Sequence, residues 1–179
     1  MTGPVDPTTS GGAASPFGEL PLTDFDRACM ARAIELSRSA MDAGSGGPFG
    51  AVIAMNGEIV GEGWNRVTST NDPTAHAEVV AIRNACEKLG RFDLVGAVIY
   101  TSCEPCPMCL AATYWARISR MIYGNDRDDA ASIGFDDAMI YHQVALPIAE
   151  RRLPMQRTMA DEARAVFDDW AIKEDRIPY

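Results

Sequence analysis

His76 and Glu78 stand two apart in "TAHAE" (Thr74–Glu78), and Cys106 and Cys109 stand three apart in "CEPCPMC" (Cys103–Cys109). Cysteines at C-x-x-C spacing with a distant histidine have the spacing of zinc ligands. One His and two Cys make three protein ligands, the number for a catalytic Zn²⁺ that keeps a fourth position for water. Such an ion brings the pKa of its water to about 7, so hydroxide is available at neutral pH. Two thiolates donate more charge to the metal than histidines would, which makes proton removal by Glu78 matter more. A carboxylate there can act first as general base and then as general acid. The alternative is a closed structural zinc with Cys103 as fourth ligand, which Cys103-x-x-Cys106-x-x-Cys109 offers. It leaves Glu78 without a task.

Several elements must position these residues. Thr23 with Asp26 three residues on resembles a capping box. Phe25, Cys29, Ala33, Leu36 and Ala40 then recur at helical spacing, predicting a first amphipathic helix to about Asp42 with Cys29 packed in its apolar stripe. Gly44–Pro48 breaks that helix. Phe49–Met55 and Glu58–Trp64 flank Asn56-Gly57, a strong hairpin signal. Asp72 or Thr74 is placed to cap the next helix, with Pro73 in its first turn. This helix carries His76 and Glu78, buries Val79, Ile82 and Cys86, and ends at Leu89-Gly90. Leu94–Thr101 reads as a buried strand, leading into a helix begun by Pro105. Cys106 and Cys109 then fall in that helix's first turns, where unpaired N–H groups and the dipole favour thiolates. Ile118–Tyr123 reads as a further strand, whereas Gly124–Leu146 shows no definable elements. Thr158 with Asp161 suggests another capping box, ahead of a helical stripe of Ala163, Val166, Phe167, Trp170 and Ala171. The pattern predicts an α/β sandwich with the metal between helix N-termini.

The totals exclude several classes. At 179 residues the chain fits one domain with a tail. Residues 1–20, rich in Gly, Pro, Ser and Thr, cannot bury enough surface to offset their ordering entropy and are expected to be disordered; 21–179 form the domain. No apolar run reaches the ~20 residues of a membrane span, and no secretory or transit signal is visible. Five cysteines, an odd number with three clustered, argue against a disulfide framework and for a reducing cytoplasm. The net charge of −9 opposes nonspecific binding to nucleic acid, and Arg151–Arg152 is the one basic pair.

Beyond the zinc pattern, "GGPFGAVI", "TNDPTAHAEVVAIRNAC", "YTSCEPCPMCLAATYWAR" and "GFDDAMIY" resemble the bacterial guanine deaminases of the cytidine deaminase superfamily. The resemblance runs from about Ala28 to Tyr141 and resumes at Tyr179. It implies a three-layer α/β/α sandwich around a five-stranded mixed sheet, and a homodimer exchanging the C-terminal segment of about 158–179. It also implies a purine-catabolic or salvage reaction: hydrolysis of guanine to xanthine and ammonia, with Zn²⁺ on His76, Cys106 and Cys109. By the same resemblance Glu78 shuttles protons and Asp137 recognises the amino group and helps carry protons to it. Phe49 stacks on the base, Asn65 and the Ala77 N–H bond its edge, and a terminal aromatic, Tyr179, covers the partner's pocket. Trp115 is either pocket wall or core. Guanosine, another amino-substituted heterocycle such as a triazine, or a base flipped from RNA or DNA are the competing substrates.

Overall fold

Asn56 and Gly57 both adopt positive φ, 53° and 81°, a turn whose twist suits paired strands. In the computed structural model, which describes residues 21–178, they join β1 (Gly50–Met55) to β2 (Glu58–Trp64) as an antiparallel pair. β3 (Val98–Cys103) pairs antiparallel with β1, and β4 (Arg120–Asn125) pairs parallel with β3. The result is a mixed sheet in the order β2-β1-β3-β4. The expected tail 1–20 and Tyr179 lie outside the described residues.

Side chains alternate across β1, and each set meets a different helix. Val52 and Ala54, with Tyr100 of β3, pack on Cys29, Ala33 and Leu36 of α1 (Asp24–Asp42). Ala51 and Ile53, with Ile99, pack on Ala77, Ala81 and Ala85 of α3 (Ala77–Leu89). The approach of α3 is close because β2 offers glycines. A Cβ on Gly63 would lie 2.3 Å from the Ala77 carbonyl oxygen, and one on Gly61 2.5 Å from that of Ala81. Small residues on both sides thus fix the helix that carries His76 and Glu78.

Several expectations are corrected. The sheet has four strands among the described residues, not five. After β4 the chain turns into helices α5 (Arg127–Ser132) and α6 (Ala138–Ala145) instead of a strand. The helix predicted from Asp72 or Thr74 starts only at Ala77, as α3, and upstream of the expected cap the chain forms a short α2 (Val67–Thr70). The Asp72 carboxylate accepts the Thr74 N–H at 2.8 Å and its hydroxyl at 2.7 Å, so it caps a turn and not a helix. Ile82 and Cys86 sit at the margin of the α3 interface, whose centre is the alanine face. β3 starts at Val98 because Gly96, at φ 89°, turns the chain after the buried Leu94. α4 spans Pro107–Trp115, two residues later than Pro105 suggested. α7 (Ala160–Ile172) follows a 3-10 turn at Ile148–Glu150, and its N-cap is Met159 in a left-handed conformation with no side-chain cap. No helix among the described residues is long and apolar enough to cross a membrane.

The predicted capping box is present: Asp26 Oδ2 accepts the Thr23 N–H and hydroxyl, while Thr23 Oγ1 accepts the Asp26 N–H. Asp26 is also buried and accepts the Tyr100 hydroxyl at 2.6 Å, which ties α1 to the sheet. The Tyr100 hydrogen bond, with those from Thr23, pulls the Asp26 carboxyl down to about 2. A carboxyl depressed in the native state stabilises above its unfolded value of about 3.9, and the contribution disappears as pH falls through the native value. Asp26→Asn is therefore expected to lower the melting temperature above about pH 5, with the gap to wild type closing toward pH 2. Thermal melts of both proteins across that range check it; a gap independent of pH would remove the ionic contribution.

Candidate metal centre

Neither metal-bearing helix has a side-chain cap, and in each the N-cap residue is a zinc-type donor: His76 for α3 and Cys106 for α4. Pro107 at the first position of α4 fixes the entry angle without needing an N–H partner. Cys109 follows in the first turn of α4, fully buried. His76 Nδ1 lies 3.6 Å from Cys106 Sγ and 3.5 Å from Cys109 Sγ. All three donor atoms lie within 4.8 Å of one another.

These distances test the fit of a metal. Tetrahedral zinc with bonds of about 2.3 Å to sulfur and 2.0–2.1 Å to nitrogen requires N···S separations of about 3.5–3.6 Å. The donor set fits Zn²⁺. The two sulfurs are hydrogen-bonded to each other. The hydrogen bond from Cys109 and then that from His76 bring Cys106 down to about 4, and the same pairing, with burial, drives Cys109 up. A metal at this site would be held by both sulfurs as thiolates, so its binding would release protons.

Cys103 is not brought into the cluster. Its thiol donates to the Asp126 carbonyl at 3.6 Å, and burial pushes it up to about 11. The three-ligand reading therefore has the geometry that the closed four-ligand reading lacks.

Glu78 sits one turn-position past Ala77 at the start of α3, buried, with its carboxyl hydrogen-bonded to Cys109 and to its own N–H. Burial pushes its pKa up. Ala77, also buried, is the first helical residue, so its N–H has no intrahelical acceptor. Asn65 is buried just after β2, and its Oδ1 accepts the Gly47 and Val67 N–H groups, both at 3.2 Å. Gly46 packs against it: a Cβ there would lie 2.3 Å from the Asn65 carbonyl oxygen. Gly46 of "GSGGP" thus makes a close approach beyond the stretch's part in ending α1.

Asp137 and Asp136 separate clearly. Asp136 is exposed and accepts the Ala138 N–H at 2.9 Å. Asp137 is half-buried, raised by burial and then by the charge of Cys106. Phe49, half-buried, meets the Phe135 ring edge-on at a centroid distance of 4.9 Å. Trp115 is placed at the far end of α4, 70% exposed, about 9 Å of helix rise beyond Cys109. At that exposure it is not part of the core of a single chain. Two residues that the sequence reading gave no role, Phe135 and Tyr141, adjoin the site; both lie in "GFDDAMIY", and Tyr141 falls four after Asp137, on the same helical face. A cavity of about 350 Å³ opens between α1 and α5 beside Phe49 and Cys103, but none of the three donor residues lines it.

Residues 23–125 match the family model described as the cytidine and deoxycytidylate deaminase zinc-binding region. The chain is 50% identical over 141 residues to guanine deaminase of Bacillus subtilis, covering 79% of this chain and 90% of that protein. It is 36% identical over 126 residues to a tRNA-specific adenosine deaminase of Haemophilus influenzae, covering 67% and 72%. The X-ray structure of the guanine deaminase from Bacillus subtilis superposes with a TM-score of 0.83 at 46% identity, covering 86% of this chain and 98% of that one.

Proposed function

Because the chain belongs to the cytidine and deoxycytidylate deaminase zinc-binding family, we propose that it is a zinc-dependent aminohydrolase that converts guanine and water to xanthine and ammonia. The observation that carries this is a buried carboxyl, Glu78, set against three zinc-type donors, in a chain that resembles a guanine deaminase along most of its length.

His76, Cys106 and Cys109 hold the metal. When bound, Zn²⁺ supplies an acidified water and a positive charge against which negative charge can develop. Glu78, raised by burial, takes the proton of the attacking water and delivers it to a ring nitrogen of the base. Attack falls on the amino-bearing carbon C2, and the C–N bond breaks as ammonia leaves. The remaining proton of that water, left on the new C2 hydroxyl, passes to the departing nitrogen through Asp137, which accepts from the exocyclic amino group, as the C2 carbonyl forms. Asn65 has both lone pairs of its Oδ1 committed to backbone, so it offers the purine its NH₂ and must meet an acceptor on the edge of the base. The Ala77 N–H adds a second donor, and Phe49 stacks on the ring.

Ammonia release by zinc-loaded protein, with guanine, guanosine, adenine, cytosine and cytidine in parallel, tests the reading. Turnover of guanine alone supports it. Turnover of guanosine with guanine ignored keeps the chemistry but opens the pocket to a ribose. Guanine ignored together with deamination of an adenosine in tRNA would replace the reading with the RNA-directed one, for which the similarity to the tRNA-specific enzyme speaks and the net charge of −9 speaks against.

A homodimer with exchanged C-terminal segments, about 158–179, is part of the proposal, as are a layered α/β/α core, a cytoplasmic location and a role in purine catabolism or salvage. Val166 and Phe167 of α7 are 64% and 73% exposed, and Tyr114 beside Trp115 is 76% exposed. Apolar stripes left open in one chain are the faces a second copy would cover. By this reading Tyr179 closes the partner's pocket and the dimer covers the exposed part of Trp115. Sedimentation at micromolar concentration checks it, and a monomer mass would remove the exchange.

A further inference from the structure

Asp137 lies on a segment anchored to the rest of the molecule on either side of it. On one side, Gly134 turns at φ 96° and the Phe135 N–H bonds the Ala130 carbonyl at 3.0 Å. This directs the Phe135 ring edge-on to Phe49, the two planes 89° apart. Gly47 lies against both rings: a Cβ there would stand 3.1 Å from Phe135 and 3.2 Å from Phe49. On the other side, the Tyr141 hydroxyl donates to the Pro105 carbonyl at 2.8 Å. Pro105 is buried and immediately precedes the ligand Cys106. Arg127 lies over the Tyr141 ring, 5.3 Å from its centre, and its N–H bonds Glu104, so α5 and α6 both grip the strand-to-helix loop that delivers Cys106.

We propose that Phe135 and Tyr141 are positioning residues, a two-point clamp that fixes Asp137 relative to both the Phe49 platform and the Cys106 ligand. The inference rests on the role given to Asp137 above and adds what holds it there. The geometry assigns the clamp a specific task. Asp137 is at the N-terminal boundary of α6, and the Tyr141 hydroxyl ties that helix to the loop between β3 and α4. Tyr141 and Asp137 share a helical face four residues apart, so moving one moves the other. Neither Phe135 nor Tyr141 needs to touch the base. A carboxyl displaced by about 1 Å from its reacting nitrogen loses up to about 100-fold in rate.

The test is a double-mutant cycle on the zinc-loaded enzyme with guanine, reading kcat, KM, zinc content and melting temperature. Tyr141→Phe removes only the hydroxyl and Phe135→Leu only the edge-on ring. Each is expected to lower kcat about tenfold, with KM, zinc content and melting temperature nearly unchanged. In an Asp137→Ala background, Tyr141→Phe should cost less than about twofold, because the group it positions is gone. An equal loss in both backgrounds, or a loss accompanied by depleted zinc, would overturn the clamp and make Tyr141 a support of Cys106. Full activity in Tyr141→Phe and Phe135→Leu, with Asp137→Ala impaired, would overturn it while leaving Asp137 in its role. Full activity in Asp137→Ala would overturn the role of Asp137 and the clamp with it.

Discussion

Glu78→Gln is expected to lower guanine turnover by about 10²–10⁴-fold, the range set by removal of a general acid–base group. The substitution keeps the shape of the side chain, but it cannot carry a proton between water and base. Zinc content should stay at the wild-type level, because Glu78 is not among the three donors. Stability should move the other way from activity. A buried carboxyl is driven toward its neutral form by desolvation, and a carboxylate held there is costly unless fully paired. An uncharged amide of the same size removes that cost, so the melting temperature should hold or rise. Steady-state ammonia release, metal analysis and a thermal melt on one preparation read all three. Activity within tenfold of wild type would take the proton shuttle away from Glu78. A loss of zinc along with activity would turn it into a support of the metal.

That opposition of stability and activity explains which parts of the molecule were legible in the sequence. The three zinc-type donors and the Asn56-Gly57 hairpin rest on local rules, spacing and turn chemistry, and they come together where those rules put them. The Thr23–Asp26 capping box is equally local. The start of α3 was misread because Asp72 and Pro73 offer an attractive cap, while the real N-cap is His76, a residue with no capping ability. The chain gives up a good cap there, and a ligand takes its place. The face of α3 was misread for a different reason. Alanines opposite glycines in a neighbouring strand form the interface, and a search for large apolar residues passes over them. Cys103 was ambiguous in sequence, since three cysteines at equal spacing look alike; only the fold turns one of them toward the Asp126 carbonyl. Phe135 and Tyr141 are legible only as neighbours of Asp137, because their partners, Phe49 and Pro105, are far away in the chain. The stripe on α7 was read correctly as helical, but periodicity does not say which chain will cover it.

The separation of Cys103 from the other two cysteines leads to the second large effect, which concerns the metal itself. Stripping zinc with a strong chelator is expected to abolish turnover and to lower the melting temperature, and adding Zn²⁺ should restore both. The thermal effect follows from mass action: a ligand bound only by the native state at about 100 times its dissociation constant adds about 2.7 kcal/mol. A metal shared by these donors would tie the starts of α3 and α4 together, so its removal should loosen the N-terminal turn on which Ala77 and Glu78 sit. Cysteine substitutions then decide between the open and the closed site. Cys106→Ser should fail to retain zinc, its affinity falling by more than the roughly 10–100-fold that loss of an outer-shell partner costs. Cys103→Ser should retain full zinc and activity within a fewfold of wild type, since a serine hydroxyl can still donate to the Asp126 carbonyl that the thiol now bonds. Zinc-to-protein ratios after dialysis, measured with turnover, separate the cases. If Cys103→Ser loses its metal as completely as Cys106→Ser does, the site has four protein ligands, no position remains for water, and hydrolysis at this centre has to be abandoned.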